Sequence, residues 1–283
     1  MPLENILMVQ RFILICYLLS VVIPASGQFG HYHYYGNNSK SDKKVAERAY
    51  FGIEYPRMNL DMTQSYAIDR STLPVSIPPS TGLPSVDTTI YISKKNSSKL
   101  GLKGALGIVG GTSFNLARLS ETSMLALDVS ASVEIYNWSV GIVKYSTVDS
   151  SVDPVFLVVE RLPIALMYKT GCEASLSSAN KLIFGIGGGI APSFGESVYE
   201  QNSGGFFKFS PFLTAELGAW IGLGVKFRAA YYPGTYTFIN ASGNDLPAYT
   251  TNGNLTLLAN GGSNFVFSFV LLLNSHQWDD GGY

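Results

Sequence analysis

Histidine is scarce in this sequence, which limits the catalytic and metal-binding chemistry open to it. Only three histidines occur among 283 residues, at His31, His33 and His276. The two in HYHYY (31–35) fall short of the three or four protein ligands of a usual zinc site, so an exposed polar segment is the simpler interpretation. Hydrolases that activate a serine commonly need a histidine, and GGG at 187–189 fits neither the dinucleotide nor the P-loop spacing. The sequence therefore predicts no catalytic, cofactor-binding or metal-binding residue.

Cysteine is almost absent as well, and one of the two lies in a segment that export would remove. Cys16 falls within the apolar run FILICYLLSVVI (12–23), which has Arg11 ahead of it and small residues behind it up to Gly27. This pattern is typical of a secretory signal peptide. A membrane-spanning helix needs about 20 apolar residues, so a retained anchor is the weaker alternative. Cleavage after Gly27 would leave Cys172 as the single cysteine and exclude an internal disulfide.

Charge is also sparse, so something else must cover much of the surface. Charged residues make up 14% of the chain, against about 25% in a typical soluble domain. With 19 basic and 20 acidic residues the net charge is −1, which favours no polyanionic partner. The sequence therefore predicts no nucleic-acid binding.

Apolar residues instead recur at every second position, as they do in β-strands. In SMLALDVSASVEIYNW (123–138) the odd positions from Leu125 to Ile135 are apolar, while the even positions from Ala126 to Glu134 are small or polar. The pattern predicts eight strands, of which the first two are the weaker ones. They are 49–55, 101–111, 123–138, 161–174, 181–190, 206–217, 223–232 and 263–274.

The predicted connections alternate in length along the chain. Those at 59–99, 139–159 and 240–262 are long and the one at 195–205 is medium, whereas those at 115–121, 176–180 and near 218–220 are short. Transmembrane β-barrels show this asymmetry, with short turns at one end and longer loops at the other. A ten-stranded alternative would add strands at 140–145 and 155–160.

The polar faces of these strands indicate which side meets water. They carry many small residues and only isolated ions of both signs, whereas a water-facing surface of a soluble sheet would hold more Lys and Glu. An eight-stranded barrel is just wide enough for side chains to fill, so this mixture favours a packed, ion-paired lumen with the apolar face in lipid. The residues predicted to form the lumen polar network are Asp128, Glu134, Lys169, Glu173, Glu216, Lys226 and Arg228.

Aromatic residues near the predicted strand ends suggest the girdles that such barrels place at the two membrane surfaces. The candidates are Tyr136, Trp138, Tyr168, Tyr231 and Tyr232. Ordinary packing in a core is an equal alternative for each of them.

Three segments carry a resemblance to a known family: RLPIALMYKTGCEA (161–174), KLIFGIGGGIAPSFG (181–195) and FSPFLTAELGAWIGLGVKFRAAYYP (209–233). The chain resembles the PorT-like outer-membrane β-barrel family of Gram-negative bacteria and, more distantly, the OmpA and OmpX barrels, over about residues 48–274. The resemblance implies a small outer-membrane barrel. Members of the family end on the last strand, whereas HQWDDGGY (276–283) follows it here.

Together these observations predict an all-β, eight-stranded, antiparallel up-and-down transmembrane β-barrel over 48–274. A cleaved signal peptide (1–27) and a periplasmic segment (28–47) would precede it, a tail (275–283) would follow it, and both termini would lie in the periplasm of an outer membrane. The leading hypothesis is a non-enzymatic barrel, structural or accessory to a secretion or transport assembly. Its expected partners are outer-membrane lipid and proteins that contact its loops or periplasmic end, with no cofactor.

Two other functions stay open at this point. A barrel that binds or transports a small molecule would need a cavity, which ten strands provide more readily than eight filled ones. A histidine-independent enzyme would need paired carboxylates in its external loops, where the sequence has only scattered ones.

Overall fold

The chain folds as one closed antiparallel β-sheet. The computed structural model describes residue 43 and residues 45–69, 91–100, 102–143, 150–176, 180–199, 202–242 and 255–278. The predicted signal peptide and the HYHYY segment lie outside the described residues. No helix among the described residues is long and apolar enough to cross a membrane.

Eleven strand segments make up the sheet. They are β1 (Tyr50–Asp69), β2 (Tyr91–Leu100), β3 (Leu102–Ser120), β4 (Ser123–Val143), β5 (Ser150–Arg161), β6 (Ile164–Gly171), β7 (Leu182–Tyr199), β8 (Asn202–Trp220), β9 (Gly224–Tyr232), β10 (Tyr236–Ser242) and β11 (Leu255–Leu272). Short 3-10 helices at Val45–Arg48 and Ser275–Trp278 flank the sheet.

In each of three pairs of segments, the two segments are halves of one strand, so the eleven segments form eight strands. β2 and β3 pair with the two ends of β1, β5 and β6 with the two ends of β4, and β10 and β9 with the two ends of β11. The break between β5 and β6 falls at Pro163, which has no N–H to give to a ladder. The break between β9 and β10 contains Gly234, whose φ of +115° is a conformation that glycine tolerates.

The first and last strands close the ring. β1 pairs with β11 antiparallel from Tyr50 opposite Leu272 to Tyr66 opposite Leu255. The other neighbours follow one another in chain order, which is an up-and-down barrel. With eight strands the chain enters β1 and leaves β11 at the same end, called here the terminal end, and the opposite end is the far end.

The eight-stranded prediction is confirmed, and the ten-stranded alternative is wrong. Residues 140–143 continue β4, and residues 155–160 belong to β5. Because β5 and β6 pair with the same neighbouring strand, β4, they are halves of one strand and add no strand to the barrel. The strands are longer than predicted, so most connections are shorter. β1 extends to Asp69, and the predicted medium connection at 195–205 shrinks to the gap between Tyr199 and Asn202. The connection at 172–181, at the terminal end, is longer than the connection between Tyr199 and Asn202, at the far end. The predicted difference in length between the connections at the two ends is therefore weaker than expected.

Side chains alternate across the barrel wall as the sequence predicts. On β4 the even residues from Ala126 to Glu134 are buried inside, while the odd ones from Leu125 to Ile135 face outward. Outward residues of other strands are large and apolar too, and Leu213, Leu217 and Phe227 are each more than 60% exposed. Soluble proteins rarely expose a continuous apolar surface of this size. An apolar outside around a charged inside is the arrangement of a transmembrane β-barrel, and this chain has that fold.

The predicted aromatic girdle is only partly placed outside. Tyr168 and Tyr231 face outward, but Tyr136, Trp138 and Tyr232 are buried in the lumen. The reason is strand parity, because an even residue of β4 or β9 points inward whatever its side chain.

The apolar outer belt ends partway along β1. The aromatic side chain of Tyr55 faces outward. Arg57 is the next outward residue, and its Cζ lies 5.9 Å from the centre of the Tyr55 ring. Asn59 and Asp61 continue the outward face. On β1 the strand therefore extends beyond the apolar belt, and its outer surface is polar from Arg57 to Asp61.

Candidate functional site

The lumen holds the charged residues of the barrel and is its candidate functional site. All seven residues of the predicted polar network are buried, and none is more than 8% exposed. Six of them meet in one cluster near the terminal end, while Glu134 lies in a second cluster farther along the lumen.

The six-charge cluster consists of three carboxylates and three cations: Asp128, Glu173, Glu216, Lys169, Lys226 and Arg228. Lys169 Nζ lies 2.6 Å from Glu173 Oε1, and Lys226 Nζ lies 3.2 Å from Glu173 Oε2 and 3.1 Å from Glu216 Oε2. Arg228 donates from Nε to Glu216 Oε1 at 2.7 Å and from Nη2 to Asp128 Oδ1 at 3.1 Å. The formal charges of the cluster therefore cancel.

Strand register brings these residues together. Glu216 on β8 is directly opposite Arg228 on β9, so an inward pair forms as soon as these two strands join. Asp128 on β4 and Lys169 on β6 reach the pair from the other side of the barrel. Glu173 comes from the turn after β6 and closes the group from the terminal end.

Tyr50 and Ser113 complete the cluster, although the predicted polar network omits them. Tyr50 donates its hydroxyl to Asp128 Oδ1 at 2.7 Å and accepts Arg228 Nη1 at 2.7 Å, and its ring also lies within 5 Å of Lys226 Nζ. Ser113 donates to Asp128 Oδ2 at 2.7 Å. Both residues lie at inward positions, so strand parity was the signal that could have identified them.

Glu173 lies outside the strands, and its ionisation reflects the neighbouring cations. Burial raises the pKa of its carboxyl group, but Lys169 and Lys226 outweigh burial and hold that pKa below its usual value. The carboxylate is therefore charged at neutral pH. A buried charge of this kind is tolerable only because it is paired and hydrogen-bonded.

The second cluster surrounds Glu134. Its carboxylate accepts hydrogen bonds from Arg161 Nη1 and from the Tyr136 hydroxyl. Asn264 Nδ2 on β11 donates to Tyr136 Oη at 2.6 Å. Arg161 also stacks its guanidinium over the Tyr232 ring at 4.6 Å. Arg161 has the inward parity of Lys169, so the same alternation could have placed it in the network.

Glu54 is a further buried carboxylate that the predicted network omits. It is 5% exposed and accepts a hydrogen bond from Ser268 Oγ at 3.0 Å. Its Oε2 has no hydrogen-bond partner among the described residues. AYFGIEY alternates, and Glu54 shares the inward parity of Tyr50 and Gly52.

One apolar layer separates the two clusters, and another closes the lumen at the terminal end. Between them lie side chains that include Met167, Phe212 and Val266. At the terminal end another layer closes the lumen and is called here the floor: Tyr50, Val109, Cys172, Ile183, Trp220, Val270, Leu272 and Trp278. The order along single strands shows the layering, since β8 passes inward from Trp220 in the floor through Glu216 to Phe212.

Inward glycines on β7 provide space for this packing. A Cβ on Gly187 would lie 2.2 Å from the Leu166 carbonyl oxygen and 2.6 Å from Met167 Sδ. Glycine at this position therefore allows Met167 to fill the layer between the clusters.

The described residues contain no group of three or more His, Cys, Asp or Glu side chains arranged to hold a metal ion. His276 is exposed in the 3-10 helix at Ser275–Trp278, and the other two histidines lie outside the described part of the chain. Chemically, the charged groups of the lumen bind one another and thereby stabilise a filled interior.

No protein-family model and no curated protein matches this chain. Among solved structures it is similar to Ail, the attachment invasion locus protein of Yersinia pestis, with 9% identity, 76% of this chain and 99% of that chain covered, and a TM-score of 0.25. It is also similar to the outer membrane protease OmpT of Escherichia coli, with 6% identity, 82% of this chain and 100% of that chain covered, and a TM-score of 0.28. These TM-scores are too low to assign a fold or a family. The fold follows from the strand pairing described above, and membership of the PorT-like family stays a prediction.

Proposed function

We propose that this chain is a non-enzymatic outer-membrane β-barrel whose two ends make protein contacts, as a structural or accessory part of a secretion or transport assembly. The supporting observation is the filled lumen. Among the described side chains, two ionic clusters, an apolar layer between them and the floor fill the lumen from the terminal end to Glu134, and the six-charge cluster is neutral through mutual pairing. A barrel of this kind offers its ends and its outer wall, rather than its interior, to other molecules.

The outer membrane is the proposed location because closed β-barrels with an apolar belt are the spanning fold of that membrane. The predicted signal peptide, ending at Gly27, would supply export. In this proposal the terminal end faces the periplasm and the far end faces outside.

A crosslinking experiment tests the proposed contacts. A photoreactive residue would replace Glu121 or Lys181, which are exposed in turns at the terminal end, or Phe227, which is exposed in the apolar belt as the lipid-facing control. We expect crosslinks to a defined protein from the turns and to lipid only from Phe227. A protein that remains uncrosslinked from both turns in intact cells would contradict the proposed contacts at the terminal end.

Conductance provides a second, independent test. The filled lumen leads us to expect no steady ion current when the purified protein is inserted in a planar bilayer. A stable open channel would favour the alternative of a transport barrel.

A further inference from the structure

We propose that the segment Asn274–Trp278 is a latch that locks the seam between β1 and β11 and seals the terminal end of the lumen. In this role the residues after the last strand are a built part of the barrel rather than a free tail.

The latch first binds the chain segment that leads into β1. Asn274 Nδ2 donates to the Ala46 carbonyl oxygen at 2.8 Å, next to the bond that Leu273 N, just before the latch, donates to the Ala49 carbonyl oxygen at 2.8 Å. These bonds continue the β1–β11 seam beyond its last sheet pair, Tyr50 and Leu272. The two ends of the chain are thereby joined outside the sheet.

The latch also binds the neighbouring hairpin. Trp220 Nε1 at the end of β8 donates to the Ser275 carbonyl oxygen at 3.0 Å, and Gly224 N at the start of β9 donates to Ser275 Oγ at 2.5 Å. A Cβ on Gly224 would lie only 2.5 Å from Leu272 Cδ1, so any side chain at this position would have to displace the Leu272 side chain. Ser275 is itself completely buried.

Trp278 places the latch across the lumen. It is 4% exposed and belongs to the floor with Cys172 and Trp220. Lys43 Nζ lies 5.0 Å from the centre of the Trp278 ring and donates to the Ser175 carbonyl oxygen at 2.5 Å. The segment before β1, the turn that carries Glu173 and the latch therefore meet beneath the six-charge cluster.

Folding gives a reason for such a device. The β1–β11 pairs join residues more than 180 positions apart, from Tyr66–Leu255 to Tyr50–Leu272, so closing the ring has a large entropic cost and depends on non-local contacts. The contacts of the latch with Ala46 and Lys43 form only when both chain ends are in place, so they stabilise the closed ring.

Cys172 provides a direct measurement of the seal. Its side chain lies in the floor, and burial raises the pKa of its thiol to about 12. A closed floor should therefore make alkylation at pH 8 slow, because thiolate is the reactive form. In a Cys16→Ser background this is the single cysteine of the full chain.

The test compares two truncations and two substitutions in detergent. Ending the chain after Trp278 keeps the latch, whereas ending it after Asn274 removes most of it; Trp278→Ala is compared with His276→Ala, which alters an exposed side chain of the same helix. For the chain ending at Asn274 and for Trp278→Ala we expect Cys172 alkylation to accelerate by about tenfold or more, because labelling follows the population of the opened end. The two controls should label at the rate of the parent protein.

Gel mobility without boiling reports whether each variant retains the folded barrel. Trp278→Leu, which keeps an apolar side chain, replaces Trp278→Ala if the latter does not fold, and we expect it to label faster than His276→Ala. Folded latch variants that label at the control rate would overturn the proposal. Equal acceleration in the chain that ends after Trp278 would also overturn it, because the seal would then depend on residues beyond the latch.

Discussion

Replacing Asp128 with leucine tests whether the inner face of β4 is a packed ionic lumen. Asp128 is 4% exposed and accepts hydrogen bonds from Tyr50 and Ser113, each at 2.7 Å. It also lies 3.1 Å from Arg228 Nη2 and 3.3 Å from Lys169 Nζ. The substitution would leave three buried cations with two carboxylates and remove the acceptor for both hydroxyl groups.

The expected loss is large relative to the stability of a small domain. Removing one partner of a buried ion pair costs about 3–5 kcal/mol, whereas a domain has about 5–15 kcal/mol in total. Asp128→Asn keeps the volume and an acceptor oxygen, so we expect a smaller loss. Val129→Leu, at the adjacent outward position, exchanges one apolar group for another in lipid and should change the free energy of unfolding by less than about 0.5 kcal/mol.

Denaturant titration in detergent, read by gel mobility and tryptophan fluorescence, would measure all three variants. The expected order of stability is Val129→Leu, then Asp128→Asn, then Asp128→Leu. If Asp128→Leu is as stable as the parent protein, that face of β4 meets water and the account of the lumen is refuted.

Three further predictions concern Glu173 in the turn after β6, Gly187 on the inner face of β7 and Ile190 on its outer face. Lowering the pH from 5 to 3 should destabilise the barrel. Lys169 and Lys226 lower the pKa of Glu173 in the folded state, so its carboxylate stabilises the fold at pH values above the ordinary carboxyl pKa, and this contribution is lost as Glu173 becomes protonated. Denaturant titrations at each pH should show a smaller acid dependence for Glu173→Gln. Gly187→Val should cost about 1–3 kcal/mol by overpacking, since even its Cβ would meet backbone, and a neutral effect would show that the layer is loosely packed. Ile190→Arg, at an outward position 53% exposed in the isolated chain, should cost about 2–4 kcal/mol if it lies near mid-membrane, and unimpaired insertion into vesicles would place it outside the belt.

The strand number and the inner face could be read from the sequence because both depend on a local pattern. Alternation from Leu125 to Ile135 fixes which side of β4 each residue faces, and no knowledge of the neighbouring strands is needed. The alternation within β6 and β9 likewise indicates inward positions for Lys169 and Arg228.

The strand ends could not be read in this way. Arg57, Asn59 and Asp61 are polar residues on the outward face of β1, so the contrast in hydropathy between the two faces is lost there, although backbone pairing continues to Asp69. The hydropathy pattern follows the membrane, whereas the strand follows the hydrogen-bonded ladder.

Contacts across the lumen were also out of reach. Tyr50 meets Asp128 and Arg228, which lie on strands that do not pair with β1, and these meetings depend on strand register around the whole ring. Trp278 lies in a short, mostly polar segment without hydrophobic periodicity, so its burial in the floor could be recognised only from the closed barrel.

Accessibility along β4 tests the central claim most directly. Single cysteines at each position from Leu125 to Glu134, in a background with Cys16→Ser and Cys172→Ser, would carry a fluorophore in vesicles whose lipids bear a quencher. The account predicts quenching at the odd positions and protection at the even ones, from Ala126 through Glu134. Quenching without this alternation, or even positions that react freely with a water-soluble thiol reagent while odd ones do not, would contradict a lipid-facing apolar wall around a filled lumen.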